Sequence, residues 1–142
     1  MLVKIQKAFF GGIVGTAAMS VFMLVSPMIG LPRMNPPQMI STMLEAPNLI
    51  GWSIHFLLGI IFALVYVFFF MRLIRRVNLA IFKGLIFGTL VFIFAQIVMG
   101  VMGDLLGGMP LTEGNVALIM LGSILGHMTY GLSLVFLVKD VA

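Results

Sequence analysis

The sequence predicts an all-α integral membrane protein: a four-helix bundle made of two repeated helical hairpins, with both termini cytoplasmic. Three observations predict it. Of 142 residues, 62% are hydrophobic and only 8% are charged, far from the balance of soluble domains. Four apolar runs, 8–29, 51–71, 79–101 and 116–138, each reach the length of about 20 residues needed to cross a bilayer core. The charges collect at the ends of those runs. Lys4, Lys7, Arg72, Arg75, Arg76, Lys83 and Lys139 fall on one side and only Arg33 on the other, so the positive-inside rule places the first set in the cytoplasm. Glu45, Asp104 and Glu113 then face outward. Backbone groups in hydrocarbon must pair within their own segment, which makes the runs helices. The alternating polarity of a barrel strand is missing.

The elements follow in order. Residues 1–7 form an amphipathic lead-in. The first run carries Gly11, Gly12, Gly15 and Thr16, small residues four apart that let helices approach closely. Pro27 and Pro32 end it, because proline lacks the helical N–H. Pro36 and Pro37 after Asn35 start a short outer helix over about 37–45. Trp52 marks the outer end of the second run, where interfacial aromatics gather. The turn 72–78 is short, which predicts that the second and third spans are antiparallel neighbours. Gln96 is a lone amide in the third span and is expected to hydrogen-bond across helices. Gly100, Gly103, Gly107, Gly108 and Pro110 then loosen the chain. Thr112 or Asn115 caps the last span.

The four runs leave one transmembrane domain, 1–142, with halves at 8–71 and 79–138. The lipid bilayer is its first partner. The chain has no cysteine, which closes disulfide, thiolate-metal and iron–sulfur readings. The formal charge of +4 is explained by topology, so no nucleic-acid partner is expected. The first run lacks a small-residue cleavage site and reads as a retained span.

The halves match one another. Gly11, Gly15 and Thr16 recur as Gly84, Gly88 and Thr89, 73 positions later, and Pro37 falls on Pro110. The only two histidines, His55 and His127, lie 72 apart in the shared pattern small-x-x-x-His-x-x-x-Gly. Gly51 and Gly59 flank the first and Ser123 and Gly131 the second. Two hairpins of the same topology pack about an axis along the membrane normal, which predicts imidazoles at similar depth.

Two readings of the pair stand side by side. In the plain one, each ring is tied to a backbone carbonyl, Ser53, Thr129 or Tyr130, since ionisable groups in a membrane face the bundle interior and find partners. In the sharper one, His55 and His127 are the axial ligands of one b-type haem. Gly59 and Gly131, with Gly51 and Ser123, make room for the macrocycle, and Arg33 pairs with a propionate. The chain is then a small membrane subunit relaying electrons, with quinol as a partner. The alternative is a haem-free structural or assembly subunit of a larger complex, or a self-associating one, joined through Gly11, Gly15, Gly84 and Gly88. An oligomeric transporter and a copper protein, with Met99 and Met102 as a thioether pair joined by Met120 and Met128, are further alternatives. No Walker sequence, zincin motif or serine-base arrangement marks an enzyme acting alone.

The stretch from Gly11 to Ser20, the Pro-rich outer loop, His55 with Gly59, and His127 with Tyr130 and Gly131 together resemble a group of small prokaryotic four-span membrane proteins. The resemblance covers most of the chain. It implies a helical fold in the inner membrane and no settled activity. More loosely, the chain resembles four-helix membrane cytochromes b in size and paired histidines. Having two histidines alone, it has ligands for at most one bis-histidine haem.

Overall fold

A computed structural model describes residues 1–106 and 114–139. Every regular element among them is helical. Helix α1 is Leu2–Val25, followed by a 3-10 turn, Ser26–Ile29. Helix α2 is the short Pro36–Met43. Helix α3, Asn48–Val65, runs on through a π-helical turn, Tyr66–Phe70, and a final α turn, Met71–Leu73. Helix α4 is Ala80–Leu105 and α5 is Val116–Val138. Four stretches, Leu2–Ile29, Asn48–Leu73, Ala80–Leu105 and Val116–Val138, are long and apolar enough to cross a membrane. This is the build of a small multi-pass membrane protein.

Local chemistry sets several boundaries. Asn35 caps α2 by accepting the Gln38 N–H at 3.2 Å, with proline at the first helical positions. Asn115 caps α5 by accepting the Ala117 N–H at 2.9 Å. Thr112 and the expected 107–110 turn lie outside the described residues. The 3-10 turn holding Pro27 closes on Gly30, whose φ of 84° is left-handed and suits glycine. Two expectations are corrected. Residues 2–7 already belong to α1 rather than to a separate lead-in. Helix α4 passes through Gly100 and Gly103 to Leu105 without loosening, as glycine does in membrane helices.

Helices α1 and α5 form the middle of the molecule, with α3 against α1 and α4 against α5. Helix association in lipid depends on close van der Waals contact rather than on water exclusion, and glycines supply it here. A Cβ on Gly11 would press Leu134 of α5 at 2.8 Å, and one on Gly15 would press the Tyr130 ring at 2.9 Å. Gly12, one residue round the helix, faces the α3 backbone instead, where an added Cβ would lie 2.7 Å from the Ile60 Cα. A Cβ on Gly84 or Gly88 of α4 would press the Cα atoms of Leu132 and Met128 of α5 at 2.8 and 2.7 Å. The expectation that Gly11, Gly15, Gly84 and Gly88 serve contacts between molecules is therefore corrected, because these faces are filled from within the chain.

Helices α3 and α4 are the neighbours that the short turn predicts, but their backbones stay farther apart than those of the other neighbouring pairs. Aromatic rings bridge them instead: Phe62 with Phe94 at 5.4 Å, Tyr66 with Phe87 at 4.8 Å and Phe70 with Phe87 at 5.1 Å between centroids. Helix α2 is clamped to the start of α3 by Ser41. Its hydroxyl accepts the Gly51 N–H at 3.2 Å and donates to the Pro47 carbonyl at 3.3 Å.

Candidate functional site

His55 is buried on the face of α3 that meets α1. Small residues on α1 make that approach possible, and Thr16 and Ser20 follow Gly12 on the same face at helical spacing. The Thr16 hydroxyl donates to the Gly12 carbonyl at 2.7 Å, and the Ser20 hydroxyl donates to the Thr16 carbonyl at 2.8 Å. Ser20 Oγ lies 3.3 Å from His55 Nε2. With the serine proton directed at Thr16, the imidazole is the donor, so Nε2 carries its hydrogen and Nδ1 keeps its lone pair. Trp52 and Phe56 flank the ring edge-on, each with centroids at 6.2 Å.

His127 is buried on α5 and is tied differently. Its Nδ1 donates to the Ser123 carbonyl of its own helix at 2.8 Å. A carbonyl only accepts, so Nε2 holds the lone pair. Phe92 of α4 packs edge-on against the ring at 5.7 Å. One turn along, the buried Tyr130 hydroxyl donates to the Gly59 carbonyl of α3 at 2.6 Å. Helices α3 and α5 run the same way. His55 precedes Gly59 by four residues and His127 precedes Tyr130 by three, so both rings lie about one turn, roughly 5 Å, beyond that bond.

Each ring thus spends one nitrogen on the protein. The second nitrogens, Nδ1 of His55 and Nε2 of His127, have no partner among the described residues. No buried side-chain nitrogen or oxygen there is left unpaired, so neither of these atoms is sealed in the core. His127 has the arrangement of a ligand histidine, in which a carbonyl orients the ring and frees the other nitrogen. His55 offers Nδ1 instead, its Nε2 being held by Ser20.

The room expected for a macrocycle is not where the sequence suggests it. A Cβ on Gly51 would collide with the Pro37 carbonyl and Ser41 Oγ, one on Gly59 with Thr16 Oγ1, and one on Gly131 with the Gly84 carbonyl and the Gly88 backbone. These glycines admit neighbouring helices rather than a macrocycle. Arg33 is exposed and lines a crevice of about 220 Å³ with Met23, Asn35 and the two neighbours of His55, Ser20 and Trp52. The backbone and Thr16 side chain packed against Gly59 and Gly131 do not suit a porphyrin at those glycines. No group of three or more His, Asp or Glu side chains among the described residues is arranged to hold a metal ion.

Of the residues expected to partner the histidines, Ser53 and Thr129 bond their own helix carbonyls, at Leu49 and Leu125, and Tyr130 bonds Gly59. Sequence reasoning missed Ser20. Its signal was its spacing of four from Thr16 and eight from Gly12, on the small-residue face of α1. Gln96 makes its cross-helix bond, donating to the Met120 sulfur of α5 at 2.7 Å. Among known proteins, the model of one family, described as a family of unknown function (DUF6789), matches residues 2–142. No curated protein and no solved structure matches the chain.

Proposed function

We propose that this chain, which belongs to the DUF6789 family, is a haem-free structural subunit that joins a larger membrane assembly through α4. The observation that carries the reading is Gln96. Its amide has one partner among the described residues, a thioether, which is a weak acceptor. Its carbonyl oxygen has none among the described residues. A polar group facing hydrocarbon without a partner is costly and acts as glue between helices. Gly100, one turn on, has nothing within 4 Å of where a Cβ would stand, so another helix can approach closely there. Ile93 and Ile97 complete the face and are 47% and 60% exposed. Helix α4 is also the least buried of the four membrane-length stretches. On this reading His55 and Tyr130 are internal ties. The basic end lies in the cytoplasm of a prokaryotic cell by the positive-inside rule.

A photoreactive side chain at position 100 tests the proposal in native membranes. A discrete protein adduct is expected there, and lipid adducts alone from the same group at Val21, which is 58% exposed on α1. Gln96→Leu should abolish the protein adduct. Equal labelling at both sites, or no protein adduct at position 100, overturns the reading.

A second reading, a bis-histidine haem b relaying electrons from quinol, is supported by the two open imidazole nitrogens at similar height. It requires the helices to part around the macrocycle. Protein purified from haem-replete cells decides between them. A colourless preparation agrees with the structural subunit. A Soret band lost in both His55→Leu and His127→Leu moves the assignment to haem.

A further inference from the structure

The basic end of the molecule holds a cavity of about 770 Å³ on which four cations converge from separate segments: Lys4 of α1, Arg72 and Arg75 at the end of α3, and Lys83 of α4. Topology alone explains why cations lie at this end. It does not explain why these four share one cavity while Arg76 and Lys139 stay outside it. None of the four has a carboxylate partner among the described residues. The described carboxylates, Glu45 and Asp104, belong to the opposite end of the helices. The same lining includes apolar side chains, Phe68 and Met71 among them. Phe68 and its neighbour Val67, which also lines the cavity, sit in the π-helical turn. Such turns are rare and recur at functional sites. Here the turn contributes apolar side chains to the same cavity as the cations.

The geometry points to a binding site for one anionic phospholipid, its phosphates among Lys4, Arg72, Arg75 and Lys83 and its glycerol and upper acyl carbons on Phe68 and Met71. The cavity opens where membrane-length helices end, which is the level of lipid headgroups. Basic pockets between helices take up such headgroups. Cations on three segments engage a headgroup with two phosphates better than one with a single phosphate. The expected order is therefore cardiolipin, then phosphatidylglycerol, then phosphatidylcholine.

The full chain in neutral detergent, titrated with each lipid and read by native mass spectrometry, tests this. Cardiolipin should bind at least about tenfold tighter than phosphatidylcholine. Arg72→Gln with Arg75→Gln should weaken cardiolipin about 25-fold, from the usual worth of a cation near an anionic headgroup. Lys4→Gln with Lys83→Gln should do the same from two other segments, which guards against misfolding of either pair. Arg76→Gln with Lys139→Gln removes the same charge from the same end but outside the cavity, and should change binding about twofold or less. Equal weakening by the outer pair reduces the effect to surface potential and overturns the site, as does binding without preference for anionic lipids. Complete displacement by millimolar pyrophosphate makes it a site for free phosphate and overturns the lipid.

Discussion

The hairpin of α1 with α3 and the hairpin of α4 with α5 carry matching spacings but are joined by different means. In the first, the helices are tied by side chains: Thr16 fills the space left by Gly59, and Ser20 holds His55. In the second, backbone meets backbone through Gly84, Gly88 and Gly131, and His127 turns to its own helix. The reason is the rotation of the leading helix. Helix α1 presents Gly12 and Thr16 to its hairpin partner and spends Gly11 and Gly15 on α5. Helix α4 presents the counterparts of Gly11 and Gly15, namely Gly84 and Gly88. The position matching Ser20 is Ile93, which is 47% exposed, and Phe92 faces the imidazole instead. A histidine's bonding in such a helix is set by what the next helix turns toward it, not by its own motif.

The comparison breaks most visibly at the equivalent glycines. Gly131→Ala puts a methyl into the backbone of α4, which has no side chain to move aside. A loss of about 3 kcal/mol is expected, the upper range for overpacking. Gly59→Ala meets Thr16 Oγ1 first, a side-chain atom that can turn aside only by giving up its bond to the Gly12 carbonyl, and should cost about 2 kcal/mol. Thermal unfolding in detergent reads both. Equal losses would mean that the two joints do not differ in the way described.

Tyr130→Phe comes next. It keeps the ring against Gly15 and Phe87 and removes only the bond from α5 to the Gly59 carbonyl. The expected loss is about 1.5 kcal/mol, near the upper end for one neutral hydrogen bond. This bond links the two hairpins, so the variant should also speed hydrogen exchange in α3 around Gly59. Unchanged exchange there would show that glycine packing alone holds the hairpins together.

The sequence makes the four spans legible because hydrocarbon imposes both length and composition on them. Helix α2 is legible because Asn35, Pro36 and Pro37 state its start chemically. The two histidines stand out because ionisable groups are rare in such runs. The rest depends on rotation. Nothing local distinguishes Ser20 from Ser53 as a partner for His55, since the choice rests on which face of α1 meets α3, 35 residues away. The glycines beside the histidines read equally well as room for a cofactor or room for a helix, and only the packed neighbours separate the two. The π turn over Tyr66–Phe70 has no glycine or proline to announce it. It lies where aromatic rings fill the gap between α3 and α4.

The smallest expected effect separates the two histidines themselves. Ser20→Ala deletes the acceptor for His55 Nε2–H and should cost about 1 kcal/mol. The freed ring can then shift its proton, so the nitrogen signals of His55 should change in NMR spectra of the labelled protein. Ser123→Ala keeps the backbone carbonyl that His127 uses. It should leave the His127 signals in place and stability within about 0.5 kcal/mol. The two serines are thus predicted to differ because one bonds its histidine through a side chain and the other through the backbone. A shift of the His127 signals in Ser123→Ala, with none for His55 in Ser20→Ala, would reverse the assignment of which imidazole ties two helices together.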